Sequence, residues 1–272
     1  MSTLHLPAVL KRLMVLPACA LLAACVNTGD RNMPIPTRTA LAGASPGDTL
    51  VIVLPGRWDN VEVMAGAGVV EAVQGAWPEA DVLLTSATMA YYTDGRLAER
   101  LHEQVVAPAR ESGYRTVWMM GASMGGLGTL LYEQAYPGQL DGLVLLAPYL
   151  GRSRLLREIA DAGGIQDWSP GPVPAERNRS NFDRELWRHL QTWLSDPAKG
   201  ERTWLAYGAE DRLRDAVPVF SPLIPEEQVM ERPGGHAWTV WTPAAGEVLS
   251  SARQGQAAGS TDDRDGSTRS TP

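Results

Sequence analysis

The chain reads as a three-layer α/β domain built on a parallel sheet, and three observations lead there. Strand-like and helix-like stretches alternate over most of the 272 residues. The strand candidates are unbroken apolar runs, which is the pattern of a sheet covered on both faces; a half-exposed strand would alternate. Hydrophobic content of 44% is enough for a full-sized core in one globular unit.

The elements follow in order. "TLVIVLPG" (49–56) is the first strong strand, residues 61–76 form a helix, "DVLLTS" (81–86) is the next strand, and residues 96–111 form a second helix. "RTVWMMG" (115–121) is a strand that turns through "ASMGG" into another helix, and "DGLVLLAP" (141–148) is the strand after it. Alternation then stops for about fifty residues, which hold two helical patterns at 152–161 and 181–195. It resumes with the strands "RTWLAYG" (202–208) and "EQVMERPGG" (227–235), and a last helix covers 239–249.

Both ends differ from this core. Lys11 and Arg12 precede "LMVLPACALLAAC" (13–25), a run too short to span a bilayer but of the size of a secretory h-region. Residues 1–24 are therefore expected to be a signal peptide that is removed. Residues 26–47 are polar and rich in Pro, Thr, Ala and Gly, so 25–47 is expected to be a tether, with one short strand near 37–41. The domain proper is expected at 48–250. Residues 251–272 contain almost no large apolar side chains that could offset the entropy of ordering, and a disordered tail is expected there.

Cysteine usage agrees with export. Cys19 lies in the discarded segment, so Cys25 would be the one thiol left and no internal disulfide could form. The run ends in Leu22, Ala23, Ala24 and Cys25, which resembles the lipobox of bacterial lipoprotein signal peptides. That resemblance implies cleavage before Cys25, lipidation of Cys25, and an exported lipoprotein held on a membrane of a bacterial cell envelope. The plainer reading is an ordinary signal sequence with an incidental cysteine.

A net charge of −7 argues against a nucleic-acid partner. No H-E-x-x-H, no cysteine pair after processing and no carboxylate array marks a metal site, and no cofactor is called for.

The chemistry gathers at "VWMMGASMGGLGTLL" (117–131). A Gly-rich strand-to-helix turn also binds dinucleotides or phosphates, but the spacing from Gly121 or Gly126 does not complete G-x-G-x-x-G, and no Lys follows Gly126 as a P-loop needs. What fits is G-x-S-x-G across Gly121, Ser123 and Gly125, a turn so tight that side chains two before and two after the serine would collide. Ser123 then needs a base, usually histidine, oriented by a carboxylate. Of the four histidines, His5 leaves with the signal, His102 precedes the serine, and His189 sits inside the inserted helical pair. His236, in "PGGHAW" after the last strand, is the candidate. For the acid, "LAYGAEDRL" presents Asp211 and Glu210, with Asp215 a distant third; the resemblance given below favours Asp211 and leaves Glu210 as the alternative, and read plainly, Asp211 caps a helix. One oxyanion amide should be Met124, the residue after the serine, and the second should come from "LPGRWDN", at Arg57 or Trp58, with Arg57 preferred.

From about Thr49 to Leu249 the chain resembles an α/β-hydrolase, and "GASMGG" is similar to the serine turn of monoglyceride-lipase-like and esterase-like members. The resemblance implies a mostly parallel sheet whose first two strands are reduced or absent, and a helical cap (about 150–200) inserted after the sixth strand of the fold. It matches Gly208 and Asp211 to the family's G-x-x-D turn. It departs from the family where Pro55 stands in place of the histidine of a common His-Gly pair, which leaves the second oxyanion donor open. The cap carries Trp168, Trp187 and Trp193, which either pack on the main domain or touch substrate, and seven arginines that either face solvent or meet anionic headgroups. The expected function is hydrolysis of small carboxylic esters of short to medium acyl chain through an acyl-enzyme, with a membrane contact through Cys25. Rivals are acyl transfer, thioester or peptide cleavage on the same residues, and a non-catalytic lipoprotein that binds without reacting.

Overall fold

The computed structural model describes residues 30–265. The signal-peptide and Cys25 readings lie outside the described residues. Seven strands form one sheet among them: β1 (Thr37–Ala40), β2 (Thr49–Leu54), β3 (Ala80–Thr85), β4 (Thr116–Ala122), β5 (Gly142–Leu146), β6 (Thr203–Gly208) and β7 (Val229–Arg232). Their order is β1-β3-β2-β4-β5-β6-β7. Every pairing is parallel except that of β1, which runs antiparallel along β3.

The unbroken apolar strands have a direct cause. In β2, Leu50, Ile52 and Leu54 point into one core while Val51 and Val53 point into the other. In β4, Met119 and Trp118 divide in the same way, and in β5 so do Leu145 and Val144. Period-2 alternation is still present, but both faces are dry, so it leaves no polar trace.

Helices α1 (Val61–Gly66), α2 (Val69–Ala76) and the C-terminal α11 (Trp238–Asp265) cover one face through Met64, Val73 and Val248. The other face is covered by α3 (Met89–Thr93), α4 (Leu97–Leu101), α5 (Ala107–Glu111) and α6 (Met124–Ala135). Two expected helices are interrupted. The 61–76 helix breaks at Gly68, whose left-handed φ of 75° restarts the chain as α2. The 96–111 helix widens into a π turn at His102–Val106, just before Pro108, whose missing N–H and bulky ring disturb the ordinary ladder.

Between β5 and β6 the chain forms α7 (Ser153–Asp161), α8 (Phe182–Gln191), a 3₁₀ turn at Thr192–Ser195 and α9 (Ala198–Glu201). The short α10 (Val217–Phe220) lies between β6 and β7.

Two boundary expectations are corrected. The tether does not extend to residue 47. Ile35 is buried, its amide donates to Gln104 Oε1 at 2.8 Å, the Ser86 amide donates to the Pro36 carbonyl at 2.7 Å, and β1 closes the sheet edge. The buried carboxylate of Asp81 then accepts from the Ala42 and Gly47 amides at 2.7 and 2.9 Å. At the other end, α11 runs over Trp238–Asp265, well past Leu249. Ala252 packs into the core and Arg253 pairs with Glu79 at 2.8 Å, so small and charged residues carry the helix where large apolar ones are missing.

Candidate active site

The turn after β4 is shaped by close approach. A Cβ at Gly121 would meet the Gly125 carbonyl, and one at Gly125 would meet the carbonyls of Leu54 and Pro55. The turn therefore closes on itself and lies against the end of β2. Ser123, between these glycines, takes φ 53° and ψ −111° ahead of α6. A non-glycine residue in that region costs on the order of 1–3 kcal/mol and persists only where its surroundings enforce it. Here its amide donates to the Leu146 carbonyl at 2.8 Å and its carbonyl accepts from the Tyr149 amide at 2.9 Å.

His236 arrives on the loop after β7 and Asp211 on the turn after β6. These turns are pressed together, because a Cβ at Gly208 would collide with the Gly234 carbonyl. The Asp211 amide donates to the Gly208 carbonyl at 2.9 Å, and its carboxylate accepts from the Leu213 amide at 2.8 Å. His236 Nδ1 stands 2.8 Å from Asp211 Oδ2, and Nε2 stands 2.9 Å from Ser123 Oγ. An ionised carboxylate can only accept, which assigns the proton to Nδ1 and leaves Nε2 to accept from the serine hydroxyl. The edge or face of Trp241 meets the imidazole at right angles, with centroids 4.6 Å apart. Ser123 is 4% and Asp211 2% exposed, so the whole chain of groups lies in a poorly hydrated setting.

Glu210, the alternative acid, does not approach the imidazole through any hydrogen bond. Its carboxylate accepts from the Gly234 amide and its own amide donates to the Gly234 carbonyl at 3.0 Å, so it buttresses the loop that carries His236. Asp215 sits in a 3₁₀ turn farther on.

Met124 occupies the first position of α6, where an amide has no partner one turn back. The loop holding Arg57 lies beside it, since Leu54 and Pro55 crowd Gly125. Arg57 and Trp58 are exposed, with the guanidinium 4.7 Å from the indole centroid.

Several contributors left no signal in the sequence. Tyr92 on α3 donates to the Met124 carbonyl at 2.7 Å, and burial pushes its phenol far above the ordinary 10.0, so it stays a neutral donor. Trp238 Nε1 donates to Asp59 Oδ2 at 2.9 Å, joining the start of α11 to the loop after β2. Residues 179 apart in sequence cannot announce such a contact by any local pattern.

The cap tryptophans are buried. Trp187 Nε1 donates to the Leu150 carbonyl at 2.7 Å, and Trp187 and Trp193 pack edge-on against Phe220 of α10, while Trp168 donates to Glu158. The rings thus hold this segment on the main domain. Five of its arginines are engaged: Arg152 with Asp183, Arg184 with Glu158, Arg188 with Glu185, Arg177 with Gln134 and Arg179 with the Thr93 carbonyl. Burial alone would raise the Asp183 carboxyl, but its bonds to Arg152 outweigh that and hold it below the usual range. Among the described residues no cluster of His, Cys, Asp and Glu could hold a metal ion.

Residues 94–168 match the family model described as serine aminopeptidase, S33. No curated protein matches the sequence. Solved structures do match along most of their length. Est1E from Butyrivibrio proteoclasticus shares 17% identity with a TM-score of 0.57, covering 82% of this chain and 95% of its own. The fluorophosphonate-binding serine hydrolase FphF of Staphylococcus aureus shares 14% with a TM-score of 0.55, covering 80% and 98%. A monoacylglycerol lipase of Paleococcus ferrophilus shares 16% with a TM-score of 0.51, covering 80% and 99%. This is the α/β-hydrolase fold. In α/β-hydrolase terms the antiparallel β1 is the one surviving edge strand, β5 is the sixth strand, and the helical insertion follows it. Ser123 stands where the fold turns from strand to helix, at the C-terminal edge of the parallel strands, where open α/β sheets bind ligands.

Proposed function

We propose that the protein is a serine hydrolase that cleaves carboxylic esters through an acyl-enzyme. One observation carries this reading: Asp211, His236 and Ser123 form a continuous hydrogen-bonded chain that ends on a serine in a left-handed turn at a helix N-terminus. Ser123 Oγ attacks the ester carbonyl as its proton passes to His236 Nε2, and the imidazolium is held by Asp211. The Met124 and Arg57 amides receive the oxyanion. His236 returns the proton to the departing alcohol, and water repeats the sequence on the acyl-enzyme to release the acid. Nothing in these steps calls for a cofactor.

Ser123 is recessed at 4% exposure, and on this reading its substrates are small esters of short to medium acyl chain. The similarity to structures named as a lipase and a serine hydrolase supports the ester-hydrolase reading itself. The anchoring reading rests on the resemblance of "LAAC" to a lipobox: an exported protein held on a bacterial envelope membrane through acylated Cys25.

The test is labelling with a fluorophosphonate, together with hydrolysis of a panel of acyl esters of graded length, a thioester, a peptide amide and an added alcohol acceptor. Wild type should be labelled and should turn over esters, with kcat/KM rising to an optimum at short to medium chains. Ser123→Ala should take no label and lose roughly 10⁴- to 10⁶-fold in activity. Labelling of the mutant would refute the nucleophile. Preference for the amide, the thioester or the alcohol acceptor would move the reaction class, and no turnover or labelling at all would leave a binding protein.

A further inference from the structure

The second oxyanion loop is tied to the helix behind the imidazole by one polar contact. Trp238 Nε1 donates to Asp59 Oδ2 at 2.9 Å, across the gap between the start of α11 and the loop after β2. Neither end is loose. At the loop end, the Asp59 amide donates to the Gly56 carbonyl at 3.2 Å, and the Asp59 carboxylate lies so close over Gly56 that a Cβ there would meet Oδ2. The next residue, Asn60, caps α1 by accepting from the Val63 amide at 3.0 Å, and the Val61 amide donates to Ser86 Oγ. Arg57 lies inside the tight turn from Gly56 to Asp59, so the direction of its amide is set by where Asp59 is held.

At the other end, the Trp238 ring meets Trp241 edge to face with centroids 5.2 Å apart, and Trp241 in turn meets His236 at 4.6 Å. Two ring contacts and one hydrogen bond thus connect the general base to the loop that carries the second oxyanion amide. Asp59 is half-buried and makes no ion pair with a cation among the described residues, so the indole N–H is the partner that fixes its orientation.

We infer that Asp59 and Trp238 are positioning residues: their hydrogen bond sets the Arg57 amide against the tetrahedral intermediate and keeps it in register with His236. This rests on the serine-hydrolase reading above. Neither residue touches the reacting atoms. Their effect belongs to the transition state, because a donor displaced by about 1 Å can cost as much as 10²-fold in rate while the ground-state ester binds as before.

The experiment measures kcat, KM and melting temperature on p-nitrophenyl butyrate for Trp238→Phe, Asp59→Ala, the double variant and Asp59→Asn, with affinity for a boronic acid transition-state analogue. Trp238→Phe keeps a ring and removes the donor, Asp59→Ala removes the acceptor, and Asp59→Asn retains a carbonyl oxygen that can accept. The single variants should lose roughly 10- to 100-fold in kcat with KM little changed, and should bind the boronic acid more weakly in proportion. The double variant should lose no more than the worse single one, as expected when two residues act through one bond. Asp59→Asn should recover most of the rate. Singles with wild-type kcat and boronic acid affinity, or losses that multiply in the double variant, would overturn the inference while the hydrolase reading stands. Losses that follow melting temperature and that Asp59→Asn does not rescue would show ordinary destabilisation and overturn it too. Wild type that neither hydrolyses esters nor takes a fluorophosphonate would remove both readings together.

Discussion

Glu210 grips the backbone at Gly234, two residues before the imidazole, while its neighbour Asp211 holds the imidazole itself. Two adjacent carboxylates thus serve one histidine at different levels, one fixing its loop and the other its ring. Asp211→Asn should cost on the order of 10⁴ in kcat by favouring the wrong imidazole tautomer, whereas Glu210→Gln, which still presents an oxygen to the Gly234 amide, should cost far less. Steady-state kinetics on one soluble ester decides it, and the reverse ranking would give the orienting role to Glu210.

Asp81 makes a prediction about the fold at the opposite end of the sheet. Its fully buried carboxylate accepts from the Ala42 and Gly47 amides and from the Tyr114 hydroxyl, the last at 2.7 Å. Asp81→Ala strands three donors, for a loss of about 3 kcal/mol. In a domain of this size that lowers the melting temperature by roughly 6–12 °C. Activity of the folded fraction should be unchanged, because Asp81 lies near the start of β3 and the site lies at the strands' other ends. Calorimetry and kcat on the same preparation test both statements.

His189 gives the fold a pH dependence of known sign. Burial, with Lys199 and Arg177 nearby, lowers its imidazole to about 4, and its Nε2 is buried without a partner among the described residues. The folded chain keeps this ring neutral, while the unfolded chain protonates it below about 6.5. Stability is therefore flat above that value and falls as pH drops from about 6.5 to about 4. The residue is half-buried rather than fully buried, so the loss is discounted to on the order of 1 kcal/mol. Urea midpoints at pH 7 and pH 5 should separate for wild type more than for His189→Gln; equal separations would refute the account.

Cys25 decides the anchor. Expressed in a bacterium, the wild-type chain should partition with membranes and incorporate labelled fatty acid, and Cys25→Ser should do neither. A soluble, unlabelled wild-type protein would show that the cysteine is incidental.

What was legible in the sequence was what local geometry or scarcity imposes. Glycines flank Ser123 because the turn permits no side chain, and that requirement is written within five residues. His236 stood out because four histidines left one in the right order, and Asp211 because Gly208 marks a turn three residues ahead of it. Tyr92, Asp59 and Trp238 leave no local signal because each acts through a partner distant in sequence, where no periodicity reaches. The short strand near 37–41 is legible, but the start of the domain ahead of residue 48 and the end of α11 are not, for a different reason. Composition averages over a window, whereas β1 is held by backbone hydrogen bonds and Ile35 alone fills its place in the core.

The packing of Trp187 and Trp193 on Phe220 limits how a substrate can get in. Swinging α8 outward as a rigid flap would expose both indoles, and at about 25 cal/mol per Å² over roughly 150–250 Å² each, that costs on the order of 10 kcal/mol. Such a motion would spend as much free energy as holds an ordinary domain folded, about 5–15 kcal/mol. On the hydrolase reading proposed above, movement near Ser123 would then fall to smaller displacements at the surface, where Arg57 and Trp58 stand exposed in the loop after β2. The helical insertion is then fixed masonry: on the proposed reading it shapes the surroundings of the site without opening and closing over it.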